Sequence, residues 1–120
     1  MVLGKHPLTL HWVSEDYAGS INIKKENGVI SVNGIQNGKE SKSGDYVKIN
    51  GTLSIVNENH LKIKGTIETK VSFIKRGEPC LRKGEFNFQA TSGRKYWRMQ
   101  EWFNPCDGLT DYVDIYFKQL

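Results

Sequence analysis

Cys80 and Cys106 are the only two cysteines in the chain. Neither belongs to a CxxC pair or to a cluster with zinc-ligand spacing. Two chemistries remain for them: one disulfide, or two separate thiols. Cys106 lies in Asn104-Pro105-Cys106-Asp107-Gly108. A nucleophilic cysteine needs a base within hydrogen-bond reach, and no histidine lies in that stretch or beside it. His6, His11 and His60 are scattered over different segments. No His-x-x-x-His pair and no Asp-rich calcium loop occurs, so neither a metal site nor a cofactor is expected. Asp111 and Asp114 fall on opposite faces of a regular strand, and alternation turns Glu101 to the side of Trp97 and Met99, where an acid needs a partner or takes on general-acid character. A rim ion pair to the basic residues of 75–83 is its simpler reading. The Gly-x-Ser-x-Gly nucleophile motif and phosphate-loop glycine patterns are absent. The expectation is a protein that is not an enzyme.

The stretch 93–108, GRKYWRMQEWFNPCDG, concentrates aromatic and basic side chains. These are the side chains that dominate binding surfaces. Alternation divides them. Trp97, Met99 and Phe103 share one face, while Tyr96, Arg98, Gln100 and Trp102 share the other. The first set reads as core and the second as surface.

The elements that position these residues read as strands nearly throughout. Period-2 alternation recurs, and no stretch of about 12 residues carries a helical period. Eight strands are predicted, at about 8–13, 19–25, 30–36, 46–56, 61–74, 85–90, 95–103 and 111–118. Three hairpin registers can be tested by arithmetic, because a one-residue slip turns apolar side chains to the wrong face. Asn27-Gly28 is a type I′ turn dipeptide, and it sets Ile23 opposite Val32 and Ile21 opposite Gly34. A turn at Asn57-Glu58-Asn59 sets Ile55 opposite Leu61, Leu53 opposite Ile63 and Ile49 opposite Ile67. A four-residue turn at Thr91-Ser92-Gly93-Arg94 sets Phe88 opposite Trp97 and Phe86 opposite Met99. The second register also faces Gly51 with Gly65 on the apolar side. That leaves a gap to be filled by an aromatic side chain or a ligand, or marks curvature.

The fold class expected is all-β: one domain over 1–120, an eight-stranded antiparallel meander closed or curled into a barrel of the lipocalin or calycin kind. A two-sheet sandwich is the alternative. The chain has 120 residues, 38% hydrophobic and 25% charged, with a net charge of +4. That is enough for one core. No apolar run reaches the ~18 residues of a membrane helix, so no membrane span is expected.

In such a meander the short turns gather at one end. The long connections 14–18, 37–45, 75–84 and 104–110 gather at the other, and both cysteines lie there. A Cys80–Cys106 disulfide is therefore expected, and with it an oxidising, periplasmic or extracellular location. The chain shows no secretory leader, and two reduced thiols in the cytoplasm are the alternative.

Loops on a rigid scaffold carry function. The ligand-binding residues expected at the long-loop end are Tyr17 and Trp102 as aromatic anchors, Lys75 and Arg76 for an anionic group, and Asp107. The basic loops 75–84 and 91–95 fall at opposite ends, so no continuous groove for nucleic acid forms.

Two local resemblances bear on this reading. Trp12, Asp16 and Gly19-Ser20, followed by a strand and a hairpin, resemble the opening of avidin-type barrels. Ser92-Gly93-Arg94-Lys95-Tyr96 resembles the Ser-Gly-x-x-Tyr loop of small periplasmic lysozyme inhibitors, which are also compact β barrels. The function expected is a non-enzymatic binding module for a small molecule or a protein. An inhibitor or immunity-type protein acting through loop 75–84 is the second reading, and an OB-like nucleic-acid binder the third.

Overall fold

A computed structural model describes residues 2–91 and 93–120, with Lys75 described in its backbone only. Eight strands run β1 Gly4–Leu10, β2 Gly19–Glu26, β3 Val29–Asn37, β4 Tyr46–Asn57, β5 His60–Lys70, β6 Cys80–Gln89, β7 Tyr96–Met99 and β8 Val113–Tyr116. Each pairs antiparallel with the next, and β8 returns to β1, which closes the barrel. The two-sheet sandwich is thereby set aside. Two 3₁₀ turns, Glu40–Lys42 and Lys75–Gly77, interrupt the long loops. Among the described residues no helix is long and apolar enough to cross a membrane.

Turn chemistry fixes the first two hairpins. Asn27 and Gly28 both adopt positive φ, 51° and 78°, as a type I′ turn requires. Ile23 then faces Val32, and Ile21 faces Gly34. In β4–β5, Leu53 faces Ile63 and Ile49 faces Ile67, with a shift in register between Ile55 and Asn57 that shortens the turn. Gly51 does face Gly65. No gap results. A Cβ on Gly65 would stand 2.1 Å from the Asn50 carbonyl oxygen, and one on Gly51 2.3 Å from that of Lys64. Glycine here permits the two backbones to close on each other where the sheet curls.

The inward positions are filled. Leu8, Leu10, Ile21, Ile49, Leu61, Ile63, Phe88 and Ile115 are fully buried in one core cluster. His6 is buried among them and ties the strand ends together. Its Nδ1 lies 2.8 Å from the Tyr116 carbonyl oxygen and its Nε2 2.7 Å from that of Val2.

Several expected boundaries change. β1 runs over 4–10, not 8–13. Pro7 is tolerated in this strand because its missing N–H faces the β8 side, where pairing has stopped at Ile115. Residues 11–13 instead turn, with the amides of Val13 and Ser14 bonded to the Leu10 carbonyl. β5 ends at Lys70, and β7 and β8 are four residues each. The third hairpin is displaced by two residues, so Phe88 faces Met99 and not Trp97. A two-residue slip preserves both faces, which is why alternation does not detect it. The Ala90 amide continues the β5–β6 ladder to Asn59, and this lengthens the connection. Ser92 of the expected turn lies outside the described residues. β6 begins at Cys80, so half of the expected loop 75–84 is strand, and the connection between β5 and β6 runs over 71–79, with Val71 and Ile74 packed into the core. The charged run Arg82-Lys83-Gly84-Glu85 hid the start of this strand, because exposed strand residues need not be apolar.

Candidate functional site

Of the expected strand 95–103 only Tyr96–Met99 becomes β7, and alternation holds there; Phe103, expected in the core, lies beyond the strand's end and is exposed. Trp97 and Met99 are core, while Tyr96 and Arg98 face outward. Barrel closure sets β8 beside β7, with Asp114 opposite Arg98 and Tyr116 opposite Tyr96. Arg98 grips Asp114 with two parallel bonds, Nε to Oδ1 at 2.8 Å and Nη2 to Oδ2 at 2.9 Å. This fork fixes the guanidinium plane. Its central carbon lies 4.2 Å from the Tyr112 ring centroid and 5.1 Å from that of Tyr96. The paired Asp114 carboxylate holds the Arg98 pKa above its ordinary value, so the cation is permanent.

Aromatic contacts extend both ways from this stack. Tyr96 and Tyr116 lie 5.4 Å apart. On the other side His11, in the turn after β1, lies 5.1 Å from Tyr112 and accepts its backbone N–H at Nδ1, 3.2 Å away. Burial lowers the His11 pKa, against the pull of the Glu15 and Asp114 carboxylates, and the neutral ring is the form that can accept that bond. Trp12 follows at 4.3 Å and Phe73 at 5.6 Å beyond it. Trp12 is itself fixed, its Nε1 donating to the Thr110 carbonyl at 2.8 Å. A seam of rings and one guanidinium thus runs from the long-loop end down the outer wall of β7, β8 and β1.

Two grooves flank Tyr112 and Arg98. One, about 320 Å³, adds Arg94, Gln100, Trp102 and Thr110. The other, about 180 Å³, adds Glu15, Tyr96, Asp114 and Tyr116. Phe73, Trp102, Phe103 and Tyr112 are all exposed, Trp102 at 50%. A separate, largely apolar depression of about 270 Å³ lies at the short-turn end against Trp97 and Phe117, away from this face.

The disulfide Cys80–Cys106 is present, with Cα atoms 6.0 Å apart. It fastens the 100–112 segment that carries Trp102 and Tyr112. Around it Asn104 and Asp111 are buried and bonded to each other at 2.7 Å. Burial raises the Asp111 pKa. Glu101 is neither an inward acid nor a rim ion pair. Its Oε1 accepts the backbone N–H of Asn87 and its Oε2 the Asn87 side-chain amide, both at 2.8 Å. Gln36, fully buried, accepts the Leu10 amide at 2.7 Å and donates to the carbonyls of Ser14 and Tyr17, which closes the mouth of the barrel.

Of the ligand-binding residues expected from sequence, Trp102 alone lies in a groove beside Arg98. Tyr17 clasps two loops, its hydroxyl accepting the Lys39 amide at 2.7 Å with the Lys39 ammonium 4.6 Å over its ring. It lines a polar groove of about 340 Å³ with Glu15 and Lys42. Asp107 holds its own turn by accepting the Leu109 amide. Arg76 is exposed on the 3₁₀ turn at φ 57°, and the Lys75 side chain lies outside the described residues. His11, Tyr112 and Asp114 were missed, because only closure of β8 onto β1 brings them to Arg98. The Arg98–Asp114 pairing alone was recoverable, from a correct β7–β8 register.

The chain matches the PM1083 family over residues 1–117. A relative described as uncharacterized protein PM1083, from Pasteurella multocida (strain Pm70), is 33% identical over 116 residues. That alignment covers 97% of this chain and 73% of the relative. No solved structure matches the chain. With nearly its whole length aligned to the family, the chain is a member of the PM1083 family.

Proposed function

We propose that this protein is an exported, non-enzymatic binding module that engages a partner protein through the aromatic face of β7, β8 and β1. One observation carries the reading. Arg98 is locked by Asp114 between Tyr112 and Tyr96, with exposed Trp102 beside it. Arg, Tyr and Trp are the residues in which interface energy concentrates, and side chains already held in place lose little freedom on binding. Contiguous exposed aromatics on a soluble barrel also mark contact surfaces. The filled core argues for the outer wall over the barrel mouth, and the disulfide argues for an oxidising compartment. Asp114 neutralises Arg98, so the face lacks the continuous positive track that single-stranded nucleic acid needs.

The test is retention of a partner from the cell-envelope extract of the source organism. Tyr112→Ala and Trp102→Ala are each expected to lower retention at least tenfold, and Thr52→Ala, on the opposite wall, to leave it unchanged. Equal retention by all four proteins overturns the reading.

A further inference from the structure

His6 is fully buried, and both of its ring nitrogens face backbone carbonyl oxygens. Nδ1 lies 2.8 Å from the Tyr116 oxygen and Nε2 2.7 Å from that of Val2. A carbonyl oxygen only accepts. Neutral imidazole carries one N–H and one lone pair, so it can satisfy one of these oxygens and must turn its lone pair on the other. Both separations are those of N–H···O bonds, and C–H contacts would sit farther out, at about 3.3–3.6 Å. The imidazolium ion, with a proton on each nitrogen, is the form that fits both contacts.

The two oxygens are held with unequal strength. Tyr116 stands in β8, opposite Tyr96 of β7, and the next amide, of Phe117, donates to the Lys95 carbonyl at 2.9 Å. Val2 precedes β1, whose pairing with β2 begins at Gly4. Among the described residues, His6 is the one hydrogen-bond partner of the Val2 carbonyl. The Val2 side chain packs against the core and forms one wall of the apolar depression at the short-turn end, beside Trp97 and Phe117.

No carboxylate supports the charge. β2 sets Ile21 opposite His6, and Trp97 of β7 lies 5.9 Å away at 77° to the ring. The charged side chains of the surrounding elements point elsewhere. Lys5 of β1, Lys24 of β2, Glu58 in the β4–β5 turn, Lys95 before β7 and Lys118 after β8 are exposed. Arg98 and Asp114 pair on the outer wall, where the Tyr96 and Tyr116 rings also meet. Burial penalises a charge, and the two carbonyl dipoles are what offset that penalty here.

We propose that His6 is a pH-operated clasp. Protonated, it bridges Val2 and Tyr116 and keeps the depression walled. When the Nε2 proton passes to water, Nδ1–H stays on the Tyr116 carbonyl and the bare Nε2 repels the Val2 oxygen. The segment before β1 then lets go and uncovers Trp97 and Phe117. The clasp is independent of a partner on the aromatic face, and its test leaves Tyr112 and Trp102 intact.

The test is nuclear magnetic resonance of the histidine ring nitrogens and the Val2 methyl groups, from about pH 5 to 8, the range in which histidine changes charge. At the acid end both His6 nitrogens are expected to carry protons. At the alkaline end Nε2 is expected to give the signal of a bare nitrogen while Nδ1 stays protonated. The Val2 methyls, displaced by the neighbouring rings at the acid end, are expected to move in step to the positions of an unstructured valine. His6→Phe fills the space with no donor, and its Val2 methyls are expected at the released position at every pH. Should that variant fail to fold, the two titrations of the parent decide. A singly protonated His6 at the acid end, a doubly protonated one at the alkaline end, Val2 methyls that stay in place while Nε2 loses its proton, or Val2 methyls that titrate in His6→Phe as in the parent overturns the proposal.

Discussion

Arg98 is the residue on which the outer face depends, because one side chain fixes both a buried carboxylate and two rings. Asp114 is only 5% exposed, and both of its carboxylate oxygens accept from that guanidinium. Arg98→Lys keeps the charge but not the two-pronged contact, and it is expected to cost about 1–2 kcal/mol in urea unfolding. A change below about 0.3 kcal/mol would show the fork to be idle. Two neighbours set opposite pH dependences. His11 is held below its ordinary 6.5 by burial, so its contribution is complete above 6.5 and lost as pH falls through the folded value. Asp111 is held above its ordinary 3.8, so its contribution is complete below 3.8 and lost as pH rises through the folded value. Asp111→Asn is therefore expected to raise the melting temperature at pH 7 and to match the parent below 3.8. A gap independent of pH would contradict this. Tyr96, Arg98 and Trp102 were legible as an outward aromatic and basic set from alternation alone. Tyr112 and His11 were not, since they meet across a sequence separation of 101.

At the scale of elements, short turns carry their own registers and long connections do not. The Asn27-Gly28 hairpin and the β4–β5 pairing followed from turn residues and alternation. The β6–β7 pairing did not, because its connection is long and a two-residue slide costs no apolar contact. The β4–β5 contact at Gly51 and Gly65 is a close backbone approach on both strands. Gly65→Ala is expected to cost about 3 kcal/mol by thermal or urea unfolding, the backbone having to move to admit the methyl group. The Glu101 strut replaces a ladder bond, and nothing in strand alternation marks it. Glu101→Ala leaves the Asn87 amide without its acceptor and is expected to cost about 1–3 kcal/mol, while the β5–β6 ladder stays protected from exchange. Loss of protection across β5 as well would mean that the strut organises the whole wall.

For the whole molecule, closure is what makes a filled barrel with exposed aromatics on its outer wall. Core positions from all eight strands meet in one cluster, and Gln36 seals the mouth. The meander, the strand count and the gathering of long loops at one end were legible in the sequence, and so was the cysteine pair that this gathering brings together. Which outer wall carries the exposed aromatics was not, because it depends on where the ends of the chain join. The disulfide spans 26 positions and contributes roughly 3–4 kcal/mol on the chain-entropy account, so reduction is expected to lower the melting temperature markedly. A melt unmoved by reductant would contradict that. The most direct test of the aromatic face is site-specific photo-crosslinking in the source organism. A photoreactive phenylalanine analogue is placed at Tyr112 in one protein and at Thr52, on the opposite wall, in another. The expected result is a discrete protein adduct from position 112 and none from position 52. Adducts from both positions, or from position 52 alone, would contradict a partner bound through the wall of β7, β8 and β1.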